Sequence, residues 1–164
     1  MTLAELNALD RPAFVATLGG VFEQSPWIAE RVCEQRPFFT LAELHEAMVN
    51  AVTAATDAER LALLLAHPDL GTRARMSRAS TGEQQGAGLD RLSSADLERL
   101  ERLNTEYRNT FGFPFIFAVK GRTAADVLTA LESRCRSSKT DERAEALRQV
   151  CRIARFRLYD LVRE

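Results

Sequence analysis

The sequence predicts an all-α protein, a single compact domain of about eight helices spanning residues 1–164. Three observations carry this expectation. Helix-start signals recur along the chain, in the form of a hydroxyl or carboxylate residue ahead of a helical run. No stretch alternates apolar and polar residues as a half-buried strand would. The length of 164 residues suits one sizeable core and is short for two ordinary ones.

Taken in order, Thr2-x-x-Glu5, Thr40-x-x-Glu43 and Thr56-x-x-Glu59 each fit a capping box, in which hydroxyl and carboxylate satisfy backbone N–H groups at a helix start. Asp10 opens a short helix through RPAFVATL that Gly19-Gly20 stops, and Ser25-Pro26 reads as a cap followed by proline at the first helical position. Further helices are expected at about 95–109, 124–135 and 141–163, started near Ser94, Thr123 and Thr140.

Composition narrows the function classes. With 22 Lys plus Arg against 23 Asp plus Glu, a net charge of -1 gives no electrostatic case for nucleic acid. No segment approaches the roughly 20 apolar residues that span a bilayer, and the opening MTLAELNALD lacks the basic start and apolar run of a signal peptide, so a cytoplasmic location is expected. Cys33, Cys135 and Cys151 are odd in number and far apart, which argues against a disulfide framework and a thiolate metal site.

Helix rules leave three segments and one arginine unexplained. In AHPDLGTRARMS, residues 66 to 77, Pro68 disfavours helical geometry before it and leaves His67 at a helix exit. A histidine there either caps the last carbonyls or works as a general acid or base. Its rival His45 sits beside Leu44, Met48 and Val52 and reads as an ordinary half-buried residue. In STGEQQGAGL, residues 80 to 89, Ser80-x-x-Glu83 is again a capping box, yet Gln84 and the glycines at 82, 86 and 88 suggest a short helix with polar groups to offer a ligand.

FGFPFIFAVKG, residues 111 to 121, is a poor helix. Its phenylalanines should bury it, so its peptide groups need partners that neighbouring side chains, water or a bound polar ligand can supply. In the last helix Leu147, Val150, Cys151, Ala154, Leu158 and Leu161 form an apolar stripe, and a helical wheel places Arg157 inside it. An inward guanidinium requires either a ligand anion or an internal salt bridge.

FEQSPWIAE, HPDLG, EQQGAGL, LNTEYRNTFGFPFIFAVKG and the closing IARFRLYDL, in this order over nearly the whole chain, resemble the 2-oxo-4-hydroxy-4-carboxy-5-ureidoimidazoline (OHCU) decarboxylases of uric acid breakdown. The resemblance implies an all-helical, cofactor-free and metal-free carboxy-lyase that forms (S)-allantoin, commonly as a homodimer. It places the catalytic histidine and glutamate on His67 and Glu83. It places substrate contacts on Pro68, Ser80, Thr81, Gly82, Gln84 and Arg157, and on the backbone of Phe115, Ile116, Phe117, Ala118 and Val119. Unlike some relatives, the chain ends in LVRE and not in a peroxisomal tripeptide. A hydrolase acting on a related ureide or hydantoin ring, and a non-enzymatic helical binding protein, stand as alternatives on the residues alone.

Overall fold

The structure, a computed structural model, describes residues 1–71 and 78–164. Among them are nine α-helices: α1 Leu3–Ala8, α2 Arg11–Leu18, α3 Trp27–Val32, α4 Leu41–Thr53, α5 Asp57–Leu65, α6 Arg78–Gly86, α7 Ser94–Phe111, α8 Ala124–Arg134 and α9 Lys139–Leu161. Short 3-10 turns lie at Cys33–Gln35 and Leu89–Arg91. The described residues form no strand, and a lone parallel bridge joins Thr2 to Arg163. The all-α expectation therefore holds.

The helix starts follow the capping logic closely. Thr2, Thr56 and Thr123 make complete capping boxes with Glu5, Glu59 and Asp126, and Asp10 accepts from the Ala13 amide. Thr40 accepts from Glu43, but the Glu43 carboxylate reaches back one residue further, to the Phe39 amide at 2.7 Å.

Four expected starts need correction. Ser25 is not a cap: α3 begins at Trp27 after Pro26, and the Ser25 hydroxyl instead donates to the Glu23 carbonyl at 2.9 Å. The long helix α7 is capped by Ser93 and not Ser94, because the acidic residue three places on, Asp96, is in register with Ser93. For the same reason α9 starts from Ser138, which accepts from Asp141, and not from Thr140. Ser80 is the third residue of α6, so Ser80-x-x-Glu83 is no capping box.

The chain divides into two compact units, Met1–Ala66 with Cys151–Glu164, and His67–Val150. The first buries Phe14, Leu18, Ile28, Leu44, Met48 and Leu158. The second buries Leu100, Tyr107, Phe115, Val127, Leu131 and Val150. Among the described residues no helix is long and apolar enough to cross a membrane.

Candidate active site

The loop that carries His67 is fixed almost entirely by side chains. α5 closes with the Ala66 amide donating to Ala62 and Leu64, and His67 and Pro68 follow, His67 only 7% exposed. Arg108 Nη2 donates to Asp69 Oδ1 at 2.9 Å, Asn104 Nδ2 donates to the Leu70 carbonyl at 2.9 Å, and the Gly71 amide donates to Gln84 Oε1 at 2.8 Å. Gly71 has φ +74°, and a Cβ there would stand 2.3 Å from Leu100 Cδ2, so both conformation and space select glycine. Leu100, Asn104 and Arg108 recur every four residues, which puts them on one stripe of α7. One face of α7 thus holds Asp69 and Leu70, and Gln84 of α6 holds Gly71.

α6 supplies the rest of the predicted polar set. Ser80 and Gln84, one turn apart, are buried, Thr81 and Glu83 are half-buried, and Gly82 is exposed. Thr81 and Gln84 also line a cavity of about 840 Å³ in the second unit, shared with Gly71, Asn104 and Arg108. Asn104 Oδ1 is buried without a hydrogen-bond partner among the described residues.

Residues 115 to 119 lie in no helix or strand, and their contacts recur with the two-residue period of extended chain. Phe115 and Phe117 stack at 5.9 Å with their planes 13° apart, the same-side relation of residues two apart in extended chain. Phe115, Ile116, Ala118 and Val119 are buried. Two side chains meet the backbone on alternate residues: Arg134 Nη1 donates to the Ile116 carbonyl at 2.6 Å, and Gln149 Oε1 accepts from the Ala118 amide at 2.9 Å. Among the described residues no protein acceptor meets the amides of Phe115, Ile116, Phe117 or Val119.

Arg134 is itself held. Its guanidinium lies 4.6 Å over the Phe115 ring and pairs with Glu142, which is 1% exposed and also receives the Tyr107 hydroxyl. Burial, and then the bond to Glu142, push the Tyr107 phenol far above its ordinary value, so it stays protonated. Gln149 is oriented by donating Nε2 to Glu145 Oε1 at 2.7 Å, one turn earlier on α9.

Arg157 points inward, as the wheel predicts, and is 8% exposed. Its Nη1 donates to Glu23 Oε2 at 2.9 Å, a buried ion pair within the first unit. Glu23 precedes Gln24, whose φ of 45° makes a tight turn. His45 is half-buried, with Nε2 2.9 Å from the Cys151 carbonyl, and burial pushes the Cys151 thiol up to about 11.

The second unit thus contains His67, Pro68, Ser80, Thr81, Gly82, Glu83, Gln84 and residues 115 to 119, while Arg157 belongs to the first. Sequence reasoning missed Glu23, Asn104, Arg108, Arg134, Glu142 and Gln149. The four-residue repeat of Leu100, Asn104 and Arg108 could have revealed two of them, and a lone carboxylate in VFEQSPW a third.

Residues 7–159 match the family described as OHCU decarboxylase. Over 161 residues the chain is 44% identical to a 2-oxo-4-hydroxy-4-carboxy-5-ureidoimidazoline decarboxylase of Halalkalicoccus jeotgali, covering 98% of this chain and 92% of that one. It is 45% identical over 163 residues to the uric acid degradation bifunctional protein PucL of Bacillus subtilis, covering 99% of this chain but 33% of that protein. A crystal structure of (S)-allantoin synthase superposes with a TM-score of 0.83 at 32% identity, covering 99% of this chain and 54% of that one. The chain therefore spans about a third to a half of those two longer proteins, and nearly all of the Halalkalicoccus relative.

Proposed function

The chain belongs to the OHCU decarboxylase family, and from that premise we propose that it releases CO₂ from OHCU to give (S)-allantoin in uric acid breakdown. The observation that supports this reading best is the pairing, in one unit, of a buried histidine on a tightly held loop with an extended segment whose amides at 115, 117 and 119 meet no protein acceptor among the described residues. Such a segment can take the N–H and C=O groups of a ureide ring, as a strand edge takes a peptide.

The substrate supplies its own electron sink. As the bond to CO₂ breaks, its electron pair passes into the adjacent ring imine, and the resulting enol is protonated on the ureido-bearing carbon, where one face must be chosen. In this reading His67 moves the proton, either from the hydroxyl as CO₂ departs or to the enol carbon. Glu83 orients the imidazole or a substrate N–H, and Pro68, Ser80, Thr81, Gly82 and Gln84 shape the ligand's surroundings. Arg157, its guanidinium aligned by Glu23, binds carboxylate or carbonyl oxygen. A cytoplasmic homodimer working without cofactor completes the proposal, and sedimentation of the purified chain checks the dimer.

The test is incubation with freshly generated OHCU, followed by circular dichroism and by gas release. Optically active allantoin and CO₂ appearing faster than the spontaneous racemic decay are expected. Ammonia without CO₂, or a racemic product at the spontaneous rate, overturns the assignment.

A further inference from the structure

Gln149 and Arg134 bind the backbone of the 115–119 segment in a particular pattern. In extended chain, successive residues turn their N–H and C=O groups to opposite edges, so residues 116 and 118 share one edge and 115, 117 and 119 the other. Both side-chain bonds fall on the first edge: Arg134 donates to the Ile116 carbonyl and Gln149 accepts from the Ala118 amide. One donor and one acceptor, set against residues two apart, reproduce what a neighbouring strand would offer. Neither group is loosely placed. Arg134 is clamped by Glu142 beneath the Tyr107 hydroxyl, and Gln149 is anchored on Glu145.

We propose that Gln149 and Arg134 are positioning residues of the ligand site: by occupying one edge of residues 115 to 119 as a surrogate strand, they hold the opposite edge, centred on the Phe117 peptide groups, in register for the N–H and C=O edge of a ureide ring. The inference rests on the decarboxylase reading and adds residues that touch no substrate. It explains why a buried segment in an all-helical protein is extended, and why its tethers alternate.

The test compares the wild type with Gln149→Leu, which removes the acceptor for the Ala118 amide, and with the double exchange Glu145→Gln plus Gln149→Glu, in which donor and acceptor swap places on the same turn. In Gln149→Leu the KM for OHCU should rise about tenfold while kcat stays within about twofold, the mark of lost uniform binding. Amide exchange at Ala118, read by NMR, should accelerate, and the double exchange should restore both readouts. A role confined to folding predicts a lower Tm with KM unchanged, and that outcome overturns the proposal. Should Gln149→Leu not fold, Gln149→Asn, the same amide one methylene shorter, takes its place with the same expected KM and exchange changes. Normal wild-type turnover with an unchanged KM in the variant overturns this inference alone. A wild type that leaves OHCU to its spontaneous decay overturns the decarboxylase reading, and this inference with it.

Discussion

Residues 67 to 71 and 115 to 119 are both irregular, both sit in the second unit, and are held in opposite ways. The first is gripped on three successive residues, two of them from a single face of α7, through the Asp69 carboxylate and the main chain of Leu70 and Gly71, and in the proposed reading what it offers is a side chain, His67. The second is tethered on alternate residues from two helices, so that its side chains are committed to the core and what it offers is main chain. An irregular segment can thus be made rigid for either purpose. Which one depends on whether its tethers use every residue or every second residue.

The sharpest way to break this contrast is to remove the side chain that, in the proposed reading, the loop presents. His67→Asn should lower turnover of OHCU at least about 10²-fold, while Tm stays close to wild type because Asp69, Leu70 and Gly71 keep their holds. Near-normal turnover would return His67 to a capping role.

Gly71→Ala attacks the loop's frame instead. With φ at +74° and Leu100 Cδ2 in the way, a loss of about 1–3 kcal/mol in urea unfolding is expected. Since the strain falls on the loop and not on the 115–119 segment, kcat should suffer more than KM.

On the other side of the comparison, Tyr107 anchors the acid that clamps Arg134, and its phenol is raised well above the ordinary value of 10.0. The native state then keeps a proton that the unfolded chain sheds at high pH, so stability is intact below about pH 10 and falls above it, by at most about 1.4 kcal/mol per pH unit. Tyr107→Phe should flatten that alkaline decline, measured as unfolding free energy between about pH 9 and 11.

The smallest effect belongs to Arg108→Ala. Its bond to Asp69 joins side chains 44% and 32% exposed, so the loss should stay below about 1 kcal/mol by thermal melting and shrink further in salt.

Local rules explain what the sequence made visible. Where a hydroxyl residue stood three places ahead of an acidic one at a true helix start, as at Thr2, Thr56 and Thr123, the start was legible; where two hydroxyls were adjacent or close, the partner acid decided between them, as at Ser93. The wheel put Arg157 inside, because a helix of 23 residues keeps its phase over many turns. What the wheel could not supply was Glu23, which lies 134 residues away along the chain. The same limit hid Gln149 and Arg134. Each looks like an ordinary polar residue on a helix, and its task exists only once the 115–119 segment is beside it. The burial of FGFPF could be anticipated from its phenylalanines, but the alternation of its tethers could not.

The placement of the aromatic residues has an optical consequence. The chain has a single tryptophan, Trp27, in the first unit with the Arg31 guanidinium 4.4 Å above its ring, whereas Tyr107 is sealed in the second. Selective tryptophan excitation therefore addresses one unit. Phenolate absorbance, taken as the difference from Tyr107→Phe in alkaline solution, addresses the other. The molecule carries its own pair of spectroscopic labels, and matched alkaline unfolding runs of the wild type and Tyr107→Phe, followed at both signals, tell whether the halves melt as one cooperative body or in succession.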